Sequence, residues 1–156
     1  MKFPWQAKEP QVRLPFAIEN VTSLKSAFHA AIEQALLLRS QSTLSVDDVW
    51  NSSFFSSYVI GYPSYLEIRD KGLMLHVREL MMSSCFDANR SEIIARFNAT
   101  RHLIKIRRDG VFEAWRLGDF DGKNYFKALL RGDSAGDNAF LNLRLTVRGA
   151  GEFTSL

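Results

Sequence analysis

The stretch LIKIRRDGVFEAWRL, Leu103 to Leu117, constrains the chain more than any other. Two apolar-alternating runs flank Asp109-Gly110, and Asp-Gly in that setting is a strong signal for a two-residue type I′ hairpin. The register pairs Arg108 with Val111, Ile106 with Glu113, Ile104 with Trp115 and His102 with Leu117. On the opposite face Arg107 meets Phe112, Lys105 meets Ala114 and Leu103 meets Arg116. Ile104, Ile106 and Trp115 then point into a core, so the cations beside them point out.

A second hairpin is read in SYLEIRDKGLMLHVREL, with Lys71-Gly72 as the turn. Asp70 faces Leu73, Ile68 faces Leu75 and Leu66 faces Val77; Arg69, Glu67 and Tyr65 face Met74, His76 and Arg78. A one-residue slip would mix the apolar and polar sets, which favours this register. A fifth strand follows near the C-terminus. There Leu141, Leu143, Leu145 and Val147 alternate with Phe140, Asn142, Arg144, Thr146 and Arg148.

Helical spacing marks other segments. From Asn20 to about Ser40, Leu24, Phe28, Ala31, Ile32, Ala35 and Leu36 form one apolar stripe. A second helix starts at Ser45, where Ser45-Val-Asp-Asp48 resembles a capping box, and buries Val46, Val49, Trp50 and Phe54 before Gly61 and Pro63. Shorter helices are predicted at Ser91–Asn98 and Lys123–Leu130. Residues 1–19 hold three of the four prolines and read as an extended arm, with an edge strand near Val12–Ile18; 149–156 read as a tail. The expected fold is one α+β domain over 20–148, an antiparallel sheet of about five strands with helices on one face.

Charge then becomes informative through its placement. Residues 1–63 carry five Lys/Arg and five Asp/Glu; residues 64–156 carry fifteen and twelve, and eleven of the fifteen are Arg. On the expected outward sheet face lie Arg69, Arg78, Lys105, Arg107, Arg116, Arg144 and Arg148, with Tyr65, Phe112 and Phe140 among them. Cations that follow phosphates and rings that stack on bases are what single-stranded nucleic acid needs. The reading is a small non-catalytic module binding single-stranded DNA or RNA on that face. The alternative is a protein-interaction module, an adaptor or self-associating subunit. It would use the same face, the arm with Phe3, Trp5 and Phe16, or the methionines Met74, Met81 and Met82.

Catalytic and metal signatures are weak. Asp119 and Asp121 in LGDFDGKN alternate as cation ligands can, with Asp133 and Asp137 further on, but Gly122 comes too early for an EF-hand and no Glu closes the loop. Asp and Asn beside Gly at turns account for them. His76 opposite Glu67 has the form of an acid–base pair and equally of a cross-strand ion pair. His29, His76 and His102 lack metal-ligand spacing. Cys85 is the single cysteine; as a nucleophile it would need a His base that the sequence does not place. No cofactor is expected. With one cysteine, no apolar run long enough to span a bilayer and no signal-like stretch, the chain is expected in the cytoplasm. The four Asn-x-Ser/Thr sequons at Asn20, Asn51, Asn89 and Asn98 are then caps and turns.

Overall fold

A computed structural model describes residues 18–37, 46–86, 88–131, 139–143 and 146. Among the described residues it holds six α-helices and no strand. They are α1 (Ile18–Leu37), α2 (Val46–Asn51), α3 (Ser53–Gly61), α4 (Lys71–Cys85), α5 (Arg90–Lys105) and α6 (Val111–Leu130), with a 3-10 turn at Ser64–Leu66. The α+β expectation is therefore corrected: both hairpins are helical. The expected strand from Phe140 begins as a tight turn at Ala139–Phe140, and Arg144, Leu145, Val147 and Arg148 lie outside the described residues.

The reasons are local. Asp70 is not a hairpin residue but the N-cap of α4, its carboxylate accepting from Leu73 N at 3.0 Å. Met74, Val77 and Met81 then fall on one buried stripe, while Leu75, an inward residue of the hairpin reading, is exposed. The Asp109-Gly110 step is likewise a corner between helices. Arg107 N reaches Ile104 O and Arg108 N reaches Leu103 O, both at 3.0 Å, which is a Schellman closure of α5. Gly110, at φ 81, then starts α6, and Glu113 folds back to its N–H at 2.8 Å. Ile18 and Glu19 belong to α1, and residues 1–17 of the expected arm lie outside the described residues.

The other helices follow their expected stripes in part: Ile94 of the predicted Ser91–Asn98 helix and Leu130 of the predicted Lys123–Leu130 helix are exposed. Leu24, Phe28 and Ile32 of α1 are buried, as are Val49 of α2 and Ile93 and Phe97 of α5. The predicted second helix breaks at Ser52, which caps α3 by accepting from Phe55 N at 3.4 Å.

Helix α3 is the centre of the molecule, buried from Phe55 through Gly61. Its serines do not weaken it, because each buried hydroxyl has a partner. Ser56 donates to Ser52 O and Ser57 donates to Val111 O at 2.6 Å, tying α3 to the start of α6. An aromatic cluster surrounds α3: Phe28 meets Phe55 and Phe140, and Tyr62 stacks on Phe140 with centroids 5.1 Å apart.

Helices α3 and α6 cross with their backbones in contact. A Cβ built on Gly61 would strike the Trp115 carbonyl, one on Gly118 the Tyr58 carbonyl, and one on Gly122 the Tyr62 carbonyl. Gly118 and Gly122 lie one turn apart on α6, a small-residue groove that lets α3 settle against the helix.

Arg78, placed by the sequence reading on an outward face, is 7% exposed. Its Nε and a terminal nitrogen both donate to Ile60 O, at 3.0 and 2.8 Å, so the cation sits on the C-terminal end of α3. Burial, with Arg101 nearby, pulls its pKa down to about 10, and it stays charged at neutral pH. Arg78→Met keeps the length of the stem but strands the Ile60 carbonyl. It is expected to cost about 1–3 kcal/mol in urea unfolding, and a stability equal to the parent would show that the guanidinium does not hold α3.

Candidate functional site

Cations concentrate on α5, α6 and the corner between them. From Arg90 to Arg131 there are ten Lys/Arg and five Asp/Glu. Three of those acids are engaged within the fold: Asp121 is fully buried, Asp119 accepts from Ser64 Oγ at 2.5 Å, and Glu113 binds Gly110 N. Glu92, Asp109 and Glu113 are exposed among the cations. On the cationic side, Arg90 pairs with Glu79 at 3.0 Å, and Arg96 donates to Asn51 and lies over Trp50.

The outer stripe of α6, with its C-cap, carries half of the rest. Arg116, Phe120, Asn124, Lys127 and Arg131 are exposed, with Lys123 half-buried beside them. Arg116 and Arg131 are about 22 Å apart along the axis at 1.5 Å per residue. The opposite stripe, Val111, Ala114, Gly118 and Gly122, is the one pressed on the core. This amphipathicity is why α6 turns its cations to solvent.

At the corner, Lys105, Arg107 and Arg108 are exposed. The Arg107 guanidinium lies over the Phe112 ring, 4.7 Å from its centroid. Phe112 in turn stacks on Trp115 at 6.1 Å with the planes 8° apart. Beside this stack opens a cleft of about 870 Å³ between the corner and the start of α3. Phe54, Leu103, Ile106 and Val111 give it an apolar side; Arg107, Arg108 and Asp109 give it a charged rim.

The residues singled out from sequence are thus dispersed rather than gathered on one sheet. Lys105, Arg107, Phe112 and Arg116 share the α5–α6 corner and its outer face. Arg69 lies elsewhere, stacked over Tyr65 at 3.9 Å and donating to Tyr65 O. Arg78 is buried, and Phe140 packs against Phe28 and Tyr62 in the core. Arg144 and Arg148 lie outside the described residues. With no strand among the described residues there is no sheet platform for consecutive bases, and the sheet-face mode of single-strand binding is withdrawn with it.

The acid–base and metal candidates also separate. His76 and Glu67 are not cross-strand partners: one is on α4, the other in the turn before it, and both are exposed. His29 meets Glu33 one turn on, at 2.9 Å. Asp119 and Asp121 diverge on α6, one toward Ser64 and the other toward Tyr58 and Asn142. No group of three or more His, Cys, Asp or Glu is arranged to hold a metal among the described residues. No helix among them is long and apolar enough to cross a membrane.

What sequence reasoning missed is the pairing of Arg107 with the cleft and the Gly118–Gly122 groove. The glycine spacing in GDFDG was the available signal, since G-x-x-x-G marks close helix contact only when the segment is already taken as a helix. Comparison with family models, characterised proteins and solved structures finds no match to this chain.

Proposed function

We propose that the chain is a nucleic-acid-binding module that works through helices, with the outer stripe of α6 and the α5–α6 corner as the contact surface. The observation that carries this is the charge imbalance on that surface: Lys105, Arg107, Arg108, Arg116, Lys123, Lys127 and Arg131 against the exposed Asp109 and Glu113, with Asp119 held by Ser64 and Asp121 buried. Neutralising phosphates releases condensed counterions, so such a surface binds polyanions in a salt-dependent way. Arginine favours this, because its planar fork meets phosphate oxygens in pairs. An exposed cationic helix fits the backbone of a duplex or of a folded RNA better than the base-stacking platform expected from sequence.

The test is fluorescence anisotropy with labelled duplex DNA, RNA and single-stranded DNA at low and physiological salt. Binding at micromolar or tighter Kd at low salt, falling steeply as salt rises, supports the reading. Arg116→Ala with Lys123→Ala is expected to weaken every probe and to lower the log–log salt slope by about 2, near 0.9 for each phosphate no longer neutralised. Neither side chain is part of the core, so thermal unfolding should be unchanged within about a degree or two. An unaltered salt slope in a folded double variant would remove α6 from the interface. Absence of binding at low salt would overturn the function. It would direct attention to the exposed Phe120 and Ile68 as contacts for a protein partner, or a second copy of the chain.

A further inference from the structure

We propose that the cleft beside the α5–α6 corner is a subsite for one nucleotide unit, with its phosphate on Arg107 and Arg108 and its base against the apolar side. The inference deepens the nucleic-acid reading and rests on it for the identity of the ligand. Three independent features converge on the site.

The first is shape and lining. About 870 Å³ falls within the range of small-molecule clefts, which combine an apolar wall with a few placed polar groups. Leu103, Ile106 and Val111 supply the wall, and Ile106 is 56% exposed there. An apolar side chain left open beside two arginines offers a surface to a flat ring.

The second is charge. Among the described residues neither Arg107 nor Arg108 pairs with a carboxylate, although Asp109 adjoins them in sequence. The Phe112 ring takes one face of the Arg107 guanidinium, which leaves its N–H edge for an anion. Asn51, Ser52 and Ser53, at the start of α3, also line the cleft and add polar groups to it. Asp109 is the one acid on the rim; it disfavours a second anionic group and can accept from a sugar hydroxyl.

The third is backbone strain. Arg107 has φ 53 and is the one non-glycine residue in the left-handed region among those described. It occupies the position after the α5 C-cap where glycine is the usual residue, because a Cβ is disfavoured there. The fold therefore accepts strain at the one residue whose guanidinium reaches both the Phe112 ring and the cleft. Strain held at a ligand-facing residue is a pointer to function.

This geometry yields a test that separates binding from folding. Arg107→Gly removes the guanidinium and relieves the backbone, so the variant should melt at or above the parent temperature while losing ligand. Adenosine 5′-monophosphate, adenosine and inorganic phosphate are titrated into the methyl-labelled protein and followed by NMR. The monophosphate is expected to shift the Leu103, Ile106 and Val111 methyls saturably, with adenosine and phosphate each weaker by about tenfold or more. Arg107→Gly and Arg108→Ala should each weaken the monophosphate by a similar factor.

Failure of the monophosphate to shift those methyls at millimolar concentration overturns the subsite. So does binding that Arg107→Gly leaves intact, or phosphate alone binding as well as the nucleotide. Polynucleotide binding is read separately by anisotropy on the same samples. If it persists while the monophosphate does not bind, the subsite fails and the wider reading stands. If the monophosphate binds and no polynucleotide does, the wider reading fails, and the cleft stands as a site for a free nucleotide.

Discussion

Gly122→Ala is expected to abolish the cooperative fold, a loss of more than about 4 kcal/mol from a domain whose whole stability is of the order of 5–15 kcal/mol. The added methyl would lie far inside van der Waals contact of the Tyr62 carbonyl, and its neighbours would be backbone atoms rather than a yielding side chain. Tyr62 cannot retreat easily. Its ring is stacked on Phe140 and set against Tyr125 and Phe126, and its hydroxyl donates to Ala139 O at 2.8 Å. Separating α3 from α6 would also disturb Gly118 on Tyr58 and Gly61 on Trp115, so the whole crossing fails together. Gly72→Ala is the control. Its Cβ would meet only Asp70 Oδ1, at 3.6 Å, in the exposed first turn of α4, and it should be neutral or gain up to about 1 kcal/mol. Circular dichroism with urea titration compares the two. A Gly122→Ala protein whose stability stays within about 1 kcal/mol of the parent would mean that the helices do not cross this closely.

The elements legible in the sequence were those whose apolar period had no competitor. Leu24, Phe28, Ala31 and Ile32 recur at intervals of three and four, which would divide them between the two faces of a strand, and Leu24, Phe28 and Ile32 are buried in α1. Around residues 73–77 two periods coexist. Leu73, Leu75 and Val77 alternate, while Met74, Val77 and Met81 follow a helix. A five-residue window favours the first; a nine-residue window favours the second, and the fold buries the second set. The same conflict misplaced the stretch after Gly110, where Val111, Ala114, Gly118, Gly122 and Tyr125 continue a helical stripe well past the length of a strand. Asp109-Gly110 did not arbitrate, because a hairpin turn and a corner between helices both call for positive φ.

For the candidate site, the clustering of arginine after residue 64 was legible, but its geometry was not. Arg107 and Arg116 were expected on one sheet face, from the two strands of a hairpin; they sit instead on either side of a helix corner. Arg78 could not be told from its neighbours, because its burial depends on the Ile60 carbonyl, which only the close of α3 exposes. Asp121 was read as a turn residue or a cation ligand. Its partners stand 63 and 21 positions away, beyond the reach of local pattern.

Asp121→Ala is the second substitution with a large expected cost, about 3–5 kcal/mol, and the stability that Asp121 confers should depend on pH in an unusual direction. The carboxylate is fully buried and accepts three bonds: from Tyr58 Oη at 2.7 Å, Asn142 N at 2.7 Å and Asn142 Nδ2 at 2.8 Å. Alanine strands all three donors and frees the 139–143 turn that covers Tyr62. Asp121→Asn keeps the shape but turns an amide toward a donor, and should cost about 1–2 kcal/mol. The pH dependence follows from burial, which pushes the Asp121 carboxyl above its ordinary value despite the bonds from Tyr58 and Asn142 that pull it down. The facing phenols of Tyr58 and Tyr62 are themselves pushed well above their ordinary value by burial, so they stay neutral throughout the acid range. With the folded value above the unfolded one, the proton is held more tightly by the native state. The contribution of Asp121 is therefore fullest below the ordinary carboxylate pKa and is lost as pH rises through the folded value. The amide of Asp121→Asn cannot titrate, so the deficit of that variant relative to the parent should be larger near pH 4 than near pH 7 in matched urea titrations. A deficit larger at neutral pH would mean that the three donors outweigh desolvation and that Asp121 is held as a carboxylate; a deficit flat with pH would mean that Asp121 has the same pKa folded and unfolded.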